Sequence, residues 1–313
     1  MAWQLLWKKT MNLKQLLNFQ SVASQGCITT AAARANLAQS AMSSQIAALE
    51  ADFGVQLLVR HSRGVTLTRP GEVLLDHIRH ISSRLEQARR DVRDAANISE
   101  DVTIGIPDSM ASVLTLPLLK AIEDALPRAR VHVFEGLTGD LRDWLRFGKI
   151  ETAILYGSDL AEGLCLQPLA EDELVLFGKA DGNETNTAIS FSSLGQCPLY
   201  TTDGEHPVRP LLDRLAREHG VSLHFGAQIN SVHQLKALAR QGHGRIVLPW
   251  VALANEPHDA RDSLRTIDPS IKLRSYIATM VEPSVTVQHV RVILKEVVRK
   301  LIVAGSWPGA TLL

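Results

Sequence analysis

The sequence predicts an α/β protein in three successive parts: a small basic helical head closed by a hairpin, one long helix, and a larger body of alternating strands and helices. Three observations carry this. Apolar residues at helical spacing, punctuated by glycines, fill residues 12–54, and two short strand-like runs follow around a Gly-Val pair. A heptad spacing then runs from Leu74 to Ala95. From residue 101 to 303, strand-like runs alternate with helix-like runs. The 313 residues suffice for two or three domains, and 45% hydrophobic with 21% charged residues is ordinary globular composition. No apolar run reaches the roughly 18 residues of a membrane span.

The first ten residues, MAWQLLWKKT, place their lysines after the apolar residues and lack a small-residue cleavage site, so no secretory signal is expected. They precede Met11-Asn12-Leu13, where the first domain pattern begins, and are expected to be a dispensable extension. Cys27, Cys165 and Cys197 are isolated, with no CxxC pair; that disfavours a disulfide framework or a zinc site and fits a reducing cytoplasm. Net charge is zero, yet residues 1–70 hold seven Lys or Arg against Glu50 and Asp52, a net of +5, so the remainder carries −5. A basic head on an acidic body points to a polyanionic partner for the head.

In the head, Asn12 can cap a helix through Leu13, Leu16, Leu17, Phe19 and Val22, which Gly26 ends. An alanine-rich helix over 29–36 can lie close to a neighbour. After a short turn, a third helix over 40–53 turns Met42, Ile46 and Leu49 inward and leaves Gln39, Ser40, Ala41, Ser43, Ser44 and Gln45 at its start; Gly54 stops it. Strands over 57–60 and 65–68 enclose His61-Ser62-Arg63-Gly64. This is a winged helix-turn-helix, residues 11–70. Its third helix would enter the major groove by its small-residue start, with Gln and Ser reading base edges or phosphates, and Arg60 and Arg63 on the wing would reach the backbone or minor groove. A plain solvated helix cap is the competing reading; the wing that follows favours double-stranded DNA.

Residues 71–100 form the linker. Leu74, Ile78, Ile81, Leu85, Ala88, Val92 and Ala95 alternate spacings of 4 and 3, a seam that needs a partner helix and so predicts a dimer arm.

These residues resemble the head and linker of LysR-type transcriptional regulators. The similarity rests on Ala31-Ala32, Gln39, Ala41, Ser43, Gln45, Ile46, Leu49-Glu50, Leu57-Leu58-Val59-Arg60, Arg63-Gly64-Val65-Thr66-Leu67-Thr68 and Gly71. Gly64-Val65-Thr66 and Leu116-Pro117-Leu118-Leu119 resemble the nitrogen assimilation control subgroup. Ala38 stands where the family has a capping Ser or Thr, Ser40 where it has Pro, and Ser44 where many members carry a basic residue.

The body, 101–313, reads as a parallel sheet in two sets. Strands over 102–106, 130–134 and 152–156 belong to the first; 174–177, 223–227 and 246–248 belong to the second, and the chain returns through 274–279 to a last helix over 285–303. Two subdomains joined by two crossings follow. The resemblance implies a LysR-type effector domain similar to periplasmic binding proteins. Ligands of such sheets sit at the carboxyl ends of strands, which nominates Ser109, Thr138, Thr201, Thr202 and Gln228 for a small carboxylate. Ser109 and Thr138 match polar ligand contacts of related regulators. For each hydroxyl alone, a helix cap is the plainer reading.

Other patterns carry less. Gln241-Gly242-His243-Gly244 lacks phosphate-loop spacing and reads as a helix end before a strand; Glu171-Asp172-Glu173 reads as a solvated strand entry; no HExxH or GxSxG spacing occurs. The sequence therefore predicts a cytoplasmic DNA-binding regulator, a homodimer assembling to a homotetramer, that senses a small anionic metabolite without catalysis, metal, cofactor or membrane. The rival, a small-molecule binding protein or enzyme built on the α/β domain, leaves the basic head and the heptad helix unexplained.

Overall fold

The computed structural model describes residues 11–61, 64–95, 100–157, 163–179, 188–204, 206–257, 263–280 and 283–313. The chain divides into two compact units, Met1–Glu86 and Gln87–Leu313, a division that falls inside the long helix.

The first unit packs α1 (Leu13–Gln25), α2 (Ile28–Arg34) and α3 (Gln39–Phe53) around Phe19, Val22, Met42, Ile46 and Leu49, all fully enclosed. Asn12 caps α1 in a reciprocal capping box with Gln15, and left-handed glycines, Gly26 and Gly54, end α1 and α3. Ala38 precedes α3 without a side-chain cap bond, so its first amides lack the usual partner. The wing is β1 (Leu58–His61) paired antiparallel with β2 (Gly64–Leu67). It docks onto the α1–α2 turn, where Val65 donates its amide to the Gly26 carbonyl at 2.8 Å. Gly64, at φ +140°, is required there, because any Cβ would overlap that carbonyl. Then α4 (Arg69–Ala95) begins after Thr68, whose hydroxyl accepts from the Gly71 amide at 3.1 Å and donates to the Gln56 carbonyl at 2.7 Å. Leu75, outside the expected seam, and Ile78 complete the head's own core, while Ile81 and Val92 stay exposed.

The second unit opens with β3 (Glu100–Pro107), α5 (Asp108–Ala125), β4 (Ala129–Gly136), α6 (Thr138–Arg146) and β5 (Thr152–Tyr156). β3 lies between β4 and β5, parallel to both. The chain crosses on β6 (Cys165–Phe177) into a second subdomain of β7 (Ala188–Ser190), β8 (Leu199–Thr201), α7 (Val208–His219), β9 (Phe225–Gln228), α8 (Val232–Gln241) and β10 (Arg245–Pro249). It returns on β11 (Leu264–Thr279), then adds α9 (Val285–Val303) and β12 (Ala310–Leu312).

The expectation of a parallel sheet needs correction. β6 and β11 run antiparallel to each other along most of their length; β11 pairs antiparallel with β5, and β6 with β10. The sheet order is β4-β3-β5-β11-β6-β10-β8-β9, so the two crossings are the central strands of one mixed sheet. Each subdomain keeps its own parallel set, and the long antiparallel pair joins them. The expected strand over 174–177 is the last third of β6, and 274–279 the last part of β11.

Candidate DNA interface and effector cleft

At the start of α3, Gln39, Ser40 and Ser44 are exposed, and Ala41, Ser43 and Gln45 are half-buried. Two of the expected contacts point elsewhere. Gln45 accepts a hydrogen bond from the buried Asn18 side chain, and the Ser43 hydroxyl is enclosed without a partner. Arg60 is exposed on β1, opposite Val65; Arg63 lies outside the described residues. The orientation of helix and wing is fixed by Glu50, which the sequence reading left without a role. Its carboxylate accepts from the Leu57 amide at 2.8 Å and the Leu58 amide at 3.1 Å, tying the end of α3 to the root of the wing.

In the body, strand register gathers the nominated hydroxyls of the first subdomain. Pro107 of β3 lies beside Gly136 of β4, and each strand runs directly into a helix start, so Ser109 and Thr138 emerge level at one sheet end. β5 ends there too, adding Tyr156. The hydroxyls of Ser109, Thr138 and Tyr156 are all enclosed and without a well-formed hydrogen bond, although those of Ser109 and Tyr156 are close enough to influence each other. Burial, then the nearby Asp172 charge, pushes the Tyr156 hydroxyl well above its ordinary pKa.

From the second subdomain come Thr201 and Thr202, both buried after β8, and His206, whose ring lies 6.4 Å from that of Tyr156. Thr202 makes only a long bond, 3.5 Å, to the Asp203 carbonyl. Burial lowers the His206 pKa to about 4, so the ring is neutral at pH 7, and its Nδ1 accepts from the Val208 amide. Gln228 pairs with Thr201 in the ladder but is exposed. Ser109, Thr138 and Tyr156 thus lie level at one sheet end of the first subdomain; Thr201 and Thr202 follow β8 of the second, and His206 brings its ring near that of Tyr156.

The acidic triplet also departs from expectation. It lies inside β6, not at its entry, and its side chains alternate. Asp172 is buried, accepts from the Trp307 indole at 2.6 Å, and is raised by burial to about 6. Glu171 faces an open cavity of about 560 Å³ together with Arg274. The Gly-rich 241–244 stretch closes α8 through left-handed Gly242 before β10, as expected.

Comparison with known proteins agrees with this architecture. Residues 13–72 match the bacterial regulatory helix-turn-helix protein, lysR family, and residues 95–299 match the LysR substrate binding domain. The chain belongs to the LysR family. It is a DNA-binding transcriptional regulator with an effector-binding domain. The nitrogen assimilation regulatory protein nac of Klebsiella aerogenes is 32% identical over 241 residues, 76% of this chain and 78% of its own. Its Escherichia coli counterpart is 30% identical over the same shares. Among solved structures, the LysR family transcriptional regulator CbnR aligns with a TM-score of 0.62 at 20% identity, over 93% of this chain and 99% of its own. The regulatory domain of Synechocystis CcmR in complex with 2-PG aligns at 0.57 and 20% identity, over 64% and 98%.

The subgroup expected from Gly64-Val65-Thr66 is thus represented among the similar relatives. That these relatives are regulators points away from an enzyme. Among the described residues, no helix is long and apolar enough to cross a membrane, and no group of His, Cys, Asp and Glu could hold a metal. Sequence reasoning missed Tyr156, His206 and Asp172. The wholly buried run Thr152–Tyr156, ending in a tyrosine at a strand's carboxyl end, was the available signal.

Proposed function

We propose that this LysR-family regulator is cytoplasmic and non-enzymatic, reads its operator through Gln39, Ser40, Ala41 and Ser44 at the start of α3, and couples that reading to a small molecule held by Ser109, Thr138, Thr201 and Thr202. Ser43 and Gln45 support the helix from within. Arg60 and Arg63 serve the DNA backbone, and Gln228 lies at the rim of the effector cleft. The exposed apolar residues of α4, Ile81 and Val92, give the homodimer seam, and a homotetramer is the expected assembly.

One observation carries the effector assignment: three enclosed hydroxyls, Ser109, Thr138 and Tyr156, none with a well-formed hydrogen bond, stand at the carboxyl ends of three strands. An unsatisfied buried polar group costs about 1–3 kcal/mol, and folded proteins tolerate few of them. Their gathering at the site where such sheets bind ligands marks groups kept for a partner. Because they are sealed from solvent, a ligand reaches them when the two subdomains part, and its closure onto both halves supplies the differential affinity a switch needs.

The DNA assignment is tested by Gln39→Ala in a gel-shift comparison. Affinity for the preferred operator should fall by about 1–3 kcal/mol while random duplex is bound nearly as before. Equal weakening on both duplexes would remove Gln39 from base reading.

A further inference from the structure

We propose that the C-terminal residues 306–313 form a strap that holds the effector cleft in its sealed arrangement and must lift from the crossing strands before the two subdomains can part. The proposal deepens the effector reading above and rests on it.

The strap is fastened where the crossings change neighbours. β6 and β11 keep one register over residues 170–174 and 271–275, and two register shifts bracket that stretch, one between Thr266 and Ile271 and one between Ser275 and Tyr276. Such irregularities leave a residue unpaired and bend the strand. At the second shift, Leu169 is left without a ladder partner in β11. From Ser275 onward β11 pairs with β5 of the first subdomain, and from Leu174 onward β6 pairs with β10 of the second. A change of angle between the subdomains therefore falls on this stretch.

The strap occupies the other edge of β6 here. β12 pairs with it antiparallel, Ala310 with Asp172, Thr311 with Glu171 and Leu312 with Ala170. At its two ends Glu173 donates its amide to the Gly309 carbonyl at 2.8 Å, and Leu313 donates to the Leu169 carbonyl at 3.2 Å. Gly309, left-handed at φ +71°, passes so close to Trp250 that a Cβ would come within 2.9 Å of its ring. Trp250 follows β10 in the second subdomain, whereas α9, from which the strap departs, packs on α5 of the first. The strap thus ties the two subdomains together across their hinge.

Trp307 is the anchor. Its side chain is enclosed, and its indole donates to the buried Asp172 carboxylate at 2.6 Å. Asp172 is in turn near enough for its charge to act on the Tyr156 hydroxyl, so the fastening point and the cleft share one buried neighbourhood. A strand as short as the three residues of β12 has little stability of its own, and loss of the indole bond loosens the whole strap. When the strap lifts, water takes the place of the indole on Asp172, which makes release reversible rather than prohibitive.

The test is hydrogen exchange of the full chain without effector, read by mass spectrometry. Because no effector is present, its outcome is separate from the Thr138→Val reporter response that tests the cleft assignment itself. Trp307→Phe keeps an aromatic ring but cannot donate to Asp172. Exchange should rise about tenfold or more, as loss of a hydrogen bond to a charged group implies, in the hinge segments 169–173 and 271–275 and the cleft segments 107–110, 136–139 and 201–204. The far half of α5, residues 118–125, and the head should exchange as before. Deleting residues 306–313 should give the same pattern with a larger rise. Wild-type exchange at the cleft segments in both variants overturns the proposal, because the strap would then only cover a strand edge. A rise spread evenly through the body overturns it as well, because Trp307 would then add general stability and no control of the cleft.

Discussion

The head and the body use polar side chains in opposite ways. In the head, Glu50, Asn18 and Thr68 each bond to a group distant in sequence, and with Ser43 as an exception these bonds fix how α3 and the wing are aimed. In the body, Ser109, Thr138 and Tyr156 are more deeply enclosed yet have no well-formed partner. The difference teaches where function sits in each. A DNA-reading surface must be rigid before it meets DNA, so its supporting polar groups are saturated and its contact groups exposed. A sensing cleft must change with its ligand, so some of its polar groups remain unpaired until the ligand comes.

Substitutions in the two regions should then differ in kind. The largest effect is expected at the arm attached to the head. Ile81→Asp puts a charge into the proposed dimer seam, where an unpaired buried charge costs about 3–5 kcal/mol. Sedimentation should show monomers, and binding to a two-half-site operator should collapse. An unchanged sedimentation profile would mean that Ile81, exposed in the single chain, packs on no partner.

Next is the clamp. Glu50→Ala leaves the Leu57 and Leu58 amides without their carboxylate, a loss of about 1.5–3 kcal/mol for hydrogen bonds to a charged group. Denaturant unfolding of the head should shift by that much, and operator binding should weaken with it. Full stability in this variant would break the comparison, since the head's polar bonds would then be incidental.

Thr138→Val is the counterpart. It removes a hydroxyl that has no partner, so the ligand-free body should be as stable as before or more so by up to about 1 kcal/mol. Operator binding without inducer should persist, whereas the reporter response to an identified inducer should fall. A full response would remove Thr138 from the site; a marked loss of stability would show that its hydroxyl is satisfied after all.

The same contrast explains what could be read from the sequence. Head elements announced themselves locally: Asn12 and Gly26 bound α1, Gly54 ends α3, and Gly64 sits where the wing turns, all within a residue or two of the observed ends. The strand-end placement of Ser109, Thr138, Thr201 and Thr202 was also legible, because a strand's carboxyl end is a local position. The crossings were not. β6 carries Pro168 and three consecutive acids, which read as a solvated strand entry in isolation; only pairing with β11, about a hundred positions later, shows Glu171 beside Arg274, and only the return through β12 brings Trp307 to Asp172. His206 was missed for a similar reason, since its neighbour Tyr156 belongs to the other subdomain.

The smallest effect expected of the unaltered chain comes from two buried titrating groups of the body that oppose each other. The His206 pKa is lowered from 6.5 to about 4, so the unfolded chain takes the proton first as pH falls. Its contribution to stability is complete above pH 6.5 and lost between 6.5 and 4, a change on the order of 3 kcal/mol. The Asp172 pKa is raised from 3.8 to about 6, so there the folded chain takes the proton first. Its contribution is lost as pH rises from 3.8 to 6 and regained on acidification, again on the order of 3 kcal/mol. Between pH 6.5 and 4 the two nearly cancel, and the wild-type body should show little pH dependence from this pair. Asp172→Asn, which can still accept from the Trp307 indole, leaves His206 alone; relative to wild type its stability should fall on acidification. His206→Gln leaves Asp172 alone, and its stability relative to wild type should rise over the same range. Denaturant unfolding at pH 7, 5.5 and 4.5 gives both slopes. Slopes of the same sign in the two variants would refute the opposition, and a slope that appears in the unfolding of the head would move the titrating groups out of the body altogether.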